Sequence, residues 1–134
     1  MGLATFIGGI HPYEGKELSE DKPIQFIVPE KGEEMVYPLS QHIGAPAKPL
    51  VAKGDQVLKG QIIAEAGGFI SANVLSSVSG TVKGIEPRLV ANGAMVQSII
   101  VENDGEENAI EGFGNARDYT KLSKEEIRNI IKEA

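Results

Sequence analysis

Val51-Ala52-Lys53-Gly54-Asp55-Gln56-Val57-Leu58-Lys59-Gly60-Gln61-Ile62-Ile63-Ala64-Glu65 is the stretch that decides the fold. A Gly-Asp turn, a short apolar–polar strand, a second glycine turn and another strand follow one another within it. Asn92-Gly93-Ala94-Met95-Val96-Gln97-Ser98-Ile99-Ile100-Val101-Glu102 repeats the scheme with a shorter segment between turn and strand, which implies two quasi-equivalent halves. Between them lies Ser71-Ala72-Asn73-Val74-Leu75-Ser76-Ser77-Val78-Ser79-Gly80-Thr81-Val82, with valines at even positions ahead of a Ser-Gly pair. That pattern predicts a strand with one packed face, then a turn. Sixteen glycines and seven prolines punctuate the other apolar runs as well, so the chain reads as mainly β.

Short strands in two halves around a central hairpin resemble the barrel-sandwich hybrid of lipoyl and biotinyl carrier domains. The expected organisation is an N-terminal extension over residues 1–37 with one or two strands and a barrel-sandwich hybrid core over residues 38–105. A linker over 106–122 and a helix beginning in 123–134 follow. Within the extension, residues 13–23 are polar and irregular, and a first strand is expected over 24–28, where Ile24, Phe26 and Val28 alternate with their neighbours. Gln41-His42-Ile43-Gly44-Ala45-Pro46-Ala47-Lys48-Pro49 carries two prolines and a glycine, so its backbone has few rotational choices and is stiff. In the tail, Ser123 and Glu126 form a capping box, Leu122 and Ile127 suit a hydrophobic staple, and Ile127, Ile130 and Ile131 share one face. A helix is therefore expected from about Lys124, with an apolar face in need of cover.

Bulk properties narrow the function. At 134 residues the chain has room for one modest core, and 41% hydrophobic with 24% charged residues is an ordinary globular composition. A net charge of −6, without a Lys/Arg cluster, argues against nucleic acid or an anionic lipid surface as the main partner. There is no cysteine, hence no disulfide, no thiolate nucleophile and no cluster ligated by these residues. No apolar run approaches the roughly 20 residues that span a bilayer, and a signal-peptide pattern is lacking, so the default address is the cytoplasm.

The candidate chemistries are thin. Carrier domains bear their prosthetic group on a lysine at a hairpin tip, and aligning Val74, Ser76, Val78 and Gly80 on the carrier pattern puts Phe69 there. A phenyl ring cannot form the amide bond, so an unmodified tip is expected. His11 and His42 lack the further ligands that zinc needs, and each imidazole is expected to bond backbone groups of a proline-rich turn instead. Ser76-Ser77-Val78-Ser79-Gly80 lacks the spacing of a nucleophile elbow, and neither Gly8-Gly9 nor Gly112-Phe113-Gly114 has the lysine and spacing of a phosphate loop. The acidic stretches at 30–34 and 102–107 lack the alternation of a calcium loop and read as solvated. No catalytic, cofactor or metal residue is nominated.

Three ordered blocks do carry a family resemblance: Thr5-Phe6-Ile7-Gly8-Gly9-Ile10-His11-Pro12, then Pro38-Leu39-Ser40-Gln41-His42-Ile43-Gly44-Ala45-Pro46-Ala47, then Gly54-Asp55-Gln56-Val57-Leu58-Lys59-Gly60-Gln61. In this order they resemble the N-terminal region of RnfC, the C subunit of the Rnf membrane electron-transport complexes, from about residue 5 to 86. Leu75 departs from the pattern, standing where many relatives have histidine. The resemblance implies a longer parent subunit with FMN, NADH and two 4Fe-4S clusters in downstream flavin/NADH-binding and ferredoxin-like domains. It also implies a complex that couples electron transfer between ferredoxin and NAD to sodium or proton translocation. On that reading the present chain is an adaptor at the cytoplasmic side of the cell membrane, peripheral, with no membrane span and no nucleic acid. Its partners are the downstream domains and other Rnf subunits. The candidate contact residues are Gly8, Gly9, His11, Pro12, Gln41, His42, Gly44, Ala45 and Pro46, which serve equally well to close the barrel. The alternatives are a stand-alone barrel-sandwich hybrid binding module and an unmodified carrier-like domain.

Overall fold

Two long strands, β6 (Gly80–Leu89) and β7 (Met95–Asn103), form the antiparallel hairpin on which the fold is hung. The computed structural model describes residues 12–133. Gly93, at φ +82°, takes the left-handed conformation that the hairpin turn demands, and Asn92 Oδ1 accepts from the Ala94 N–H at 2.9 Å. β1 (Glu34–Pro38) pairs with the other edge of β7, and β3 (Gln56–Val57) pairs with β6, giving the order β1-β7-β6-β3. A second sheet, in the order β2-β4-β5, is built from β2 (Lys48–Pro49), β4 (Ile62–Glu65) and β5 (Val74–Leu75), all antiparallel.

The core lies between these sheets. Tyr37, Leu39, Val57, Ile63, Val74, Val78, Val82, Ile99 and Val101 are buried against one another. The even-position rule holds through the central stretch: Val74, Ser76, Val78, Gly80 and Val82 are all buried. That stretch is nevertheless not one strand. β5 ends at Leu75, and residues 76–79 cross to the other sheet, where Gly80 opens β6. The Tyr37 hydroxyl braces the crossing by accepting from the Ser77 N–H at 3.0 Å. A β-bulge at Lys83 moves the inward face of β6 from even to odd positions, so Ile85 comes opposite Ile99 and packs on the core. On the outer face, Lys83 pairs with Glu102 at 2.9 Å, and Arg88 with Glu34 at 3.0 Å and Glu86 at 2.7 Å. Lys83, Arg88, Glu34 and Glu86 line a shallow recess together with Ile100, which is buried.

The two halves read from the sequence are built differently. After Gly54 the first breaks at the Gly60 turn and changes sheet, whereas after Gly93 the second runs unbroken through β7. A second correction concerns residues 24–28, expected as a strand. Among the described residues they pair with no strand, and Phe26 is 93% exposed. Pro23 and Pro29 bracket them without N–H donors, and Asn103 Nδ2 donates to the Pro29 and Glu30 carbonyls at 3.1 and 3.0 Å. A turn through Gly32 then leads the chain into β1.

Helix α1 (Lys124–Glu133) starts as its sequence requires. The Ser123 N–H donates to Glu126 Oε2 at 2.7 Å, and the Glu126 N–H donates to Ser123 Oγ at 3.3 Å. The bonds from Ser123 hold the Glu126 carboxyl below the usual carboxylate range. Leu122, Ile127 and Ile130 are half-buried, with Ile130 beside Gly60, Leu75 and Ile110, while Ile131 stays exposed. The expected apolar face is therefore covered in part by the body of the domain. Residues 108–110 lie along the Gly60 turn, where the Ile110 N–H donates to the Lys59 carbonyl at 3.0 Å. Among the described residues no helix is long and apolar enough to cross a membrane.

Candidate functional site

Residues 66–73 join β4 to β5 as a hairpin loop, and residues 40–47 cross it as a strap on the way from β1 to β2. The two backbones meet closely at two glycines. Gly44, at φ +101°, faces the Ile70 carbonyl, and a Cβ there would collide with it; a Cβ on Gly67 would collide with the Pro46 carbonyl. Only glycine fits either position. The contact is stitched by hydrogen bonds: Ala45 N–H to the Ile70 carbonyl at 3.0 Å, Ser71 Oγ to the Ala45 carbonyl at 2.8 Å, and Gly67 N–H to Ser71 Oγ at 2.9 Å. Asn73 Oδ1 closes the loop's base by accepting from the Ala66 N–H at 2.9 Å.

His42 is the latch between strap and loop. Its Nε2 lies 3.0 Å from the Ala72 N–H and its Nδ1 lies 3.1 Å from the Ile43 carbonyl. A backbone N–H only donates and a carbonyl only accepts, so Nε2 presents its lone pair and Nδ1 carries the proton. The ring therefore bonds backbone groups, one in the proline-rich strap itself and the other, Ala72, in the hairpin loop. Among the described residues no group of three or more His, Asp or Glu side chains is placed to hold a metal. Gln41 Nε2 turns back to the Pro38 carbonyl at 3.0 Å. His42, Gly44, Ala45 and Pro46 thus meet the loop, while Gln41 turns back to its own strand. Pro12 is exposed, and Gly8, Gly9 and His11 lie outside the described residues.

What stands on this scaffold is apolar. Phe69 sits at the apex of the hairpin, where the carrier comparison put it, and is fully exposed; Ile70 is 57% and Ile43 84% exposed. Attachment of lipoate or biotin needs an amine at that apex, and the loop holds no lysine. Neither residues 38–47 nor residues 66–82 contain an Asp, Glu, Lys or Arg, although a quarter of the chain is charged. Depletion of charge around exposed aromatic and aliphatic side chains is the compositional mark of an interface core. Sequence reading found the strap, with Ile43 in it, but missed Ile70. The absence of charge from both segments is the signal that points to it. Recesses flank this end: one of about 450 Å³ between His42, Tyr37 and Leu75, and an open groove of about 510 Å³ between Pro38 and Leu89. Leu75, the departure from the family pattern, borders both the first recess and the hollow under Ile130.

Two small antiparallel sheets closed over one core, with a glycine-built hairpin at one end, define a barrel-sandwich hybrid. Residues 4–106 match the family described as the RnfC barrel sandwich hybrid domain, and the chain belongs to that family. It is 41% identical over 133 residues to the C subunit of the proton-translocating ferredoxin:NAD(+) oxidoreductase complex of Clostridium ljungdahlii, covering 98% of this chain and 28% of that protein. It is 46% identical over 101 residues to the C subunit of the Na(+)-translocating complex of Acetobacterium woodii, covering 75% and 22%. The C subunit of the ion-translocating oxidoreductase complex of Vibrio cholerae is 36% identical over 134 residues, covering 98% and 17%. The chain thus spans between about a sixth and somewhat over a quarter of these relatives' length.

Proposed function

We propose that this chain is the N-terminal adaptor domain of the RnfC subunit of an Rnf complex, holding redox domains in place without performing redox chemistry itself. One observation carries the reading: nearly the whole chain matches a minor part of proteins that are themselves subunits of such complexes. The parent subunit would supply FMN, NADH binding and two 4Fe-4S clusters in its downstream flavin/NADH-binding and ferredoxin-like domains. It would sit peripherally on the cytoplasmic side of the cell membrane and contact other Rnf subunits. Within the domain, the strap from Gln41 to Pro46 is stiff before it meets a partner, so docking costs little ordering entropy. The matched relatives are named for different ions, proton in one and sodium in another, which supports an ion choice made outside this domain.

The test is deletion of this domain from the full-length subunit in a strain lacking the native copy. The expected result is loss of the RnfC subunit from the purified membrane complex, and with it ferredoxin-dependent NAD reduction, while the other subunits remain in the membrane. Retention of the truncated subunit at normal stoichiometry, with normal activity, would refute the adaptor reading.

A further inference from the structure

We infer that the hairpin apex, Phe69 and Ile70 with Ile43 beside them, is a plug that docks into an uncharged apolar pocket on the part of the same polypeptide that follows this domain. The inference rests on the adaptor reading and names the partner surface for it. Four observations converge.

The apex is exposed yet built. Its backbone is fixed by the Ala45–Ile70 and Ser71–Ala45 hydrogen bonds and by the two glycine contacts, so Phe69 is held outward by the scaffold. An aromatic side chain presented on a rigid support is the usual anchor of a protein interface, because it buries a large area with few rotors to freeze. The surrounding segments carry no charge, so the complementary surface must be uncharged as well; a charged rim would lose its solvation against this face. The lack of any Lys or Arg within them also disfavours the headgroups of an anionic bilayer, which polybasic flanks would have to recognise.

The position of α1 supplies the occupant. Asn73 Nδ2, at the foot of the loop, donates to the Glu133 carbonyl at 3.2 Å, so the backbone leaving the helix starts beside the hairpin. In the relatives the greater part of the polypeptide lies outside the matched region. A domain tethered at the foot of the hairpin meets the apex intramolecularly, at an effective concentration of up to about millimolar when the tether is short and flexible.

The experiment places the photo-reactive p-benzoylphenylalanine at position 69 of the full-length subunit in the assembled complex, followed by irradiation and mass spectrometry. The expected product is an intramolecular cross-link to a peptide that lies after residue 134 of the same polypeptide. In parallel, Phe69→Ser should speed amide exchange at residues 68–70 in the full subunit by roughly tenfold or more, the scale of losing one anchor residue. Cross-links to another subunit or to lipid would overturn the inference, as would an assembled complex that gives no cross-link and shows no change in exchange. These outcomes are separate from failure of the adaptor reading. If deleting the domain leaves assembly intact, the adaptor role falls; if deletion abolishes assembly but position 69 cross-links elsewhere, only the assignment of the plug falls.

Discussion

The chain presents two groups of exposed large apolar side chains, and they are opposites in construction. At residues 24–28, Ile24, Phe26, Ile27 and Val28 project from a backbone without a hydrogen-bond partner among the described residues, anchored only at its exit by Asn103. At the hairpin apex, Phe69, Ile70 and Ile43 stand on two backbones locked together at Gly44 and Gly67. Apolar exposure is the same in both. What differs is the entropy left to lose: the first segment must be ordered by whatever covers it, whereas the second is already in shape. A built surface of this kind is the better candidate for a defined contact.

The largest effect that could break the contrast comes from the glycines. Gly44→Val forces a β-branched residue into φ +101° against the Ile70 carbonyl, and is expected to cost about 2–3 kcal/mol and to free the strap from the loop. Urea denaturation of the 134-residue chain measures the loss, and an unchanged midpoint would mean that the strap and loop do not touch. Asn103→Ala removes both anchors at the exit of residues 24–28 and should cost about 1–2 kcal/mol. Limited proteolysis should then cut faster around residues 24–30 and no faster at 66–73; faster cutting in both would tie the two regions together. Ser71→Ala breaks the bridge between Gly67 and Ala45 for about 1 kcal/mol, which thermal denaturation would show as a small fall in Tm.

Acid gives a subtler probe. The Ser79 hydroxyl, at 2.7 Å, and the Glu106 N–H hold the Asp104 carboxyl below the usual carboxylate range. A lowered folded-state pKa means that the stabilisation is present above the ordinary aspartate value and disappears as pH falls through the folded one. Ser79→Ala should therefore flatten the acid limb of the stability curve, and an unaltered limb would show that this pair does not contribute. The smallest effect expected is that of Phe26→Ser and Phe69→Ser on the stability of the 134-residue chain, each within about 0.5 kcal/mol because neither ring is packed. A larger loss for either would mean that its side chain is covered.

The sequence made the core and the turns legible for simple reasons. The period-two placement of Val74, Val78 and Val82 survives even where no strand forms, because burial, not hydrogen bonding, is what that pattern encodes. Gly54, Gly60 and Gly93 mark left-handed turns, and the capping box at Ser123 starts the helix where its chemistry dictates. The only local signal of the bulge at Lys83 is the neighbouring Gly84 inside the strand, because the bulge itself depends on the register β6 takes against β7. Residues 24–28 misled because alternation states which face is apolar and not whether an edge is within reach. At the site, the place of Phe69 could be read, but the close approach of Gly44 to Ile70 is a tertiary fact between distant residues.

Backbone ¹⁵N relaxation on the 134-residue chain would separate the preformed apex from the loose segment without any mutation. Order parameters near the rigid-backbone value of about 0.85 are expected for residues 42–46 and 67–72, and values below about 0.6 for residues 24–28. Low values at the hairpin apex, equal to those of residues 24–28, would contradict this, because the apex would then be one more unstructured apolar loop and not a preformed contact surface.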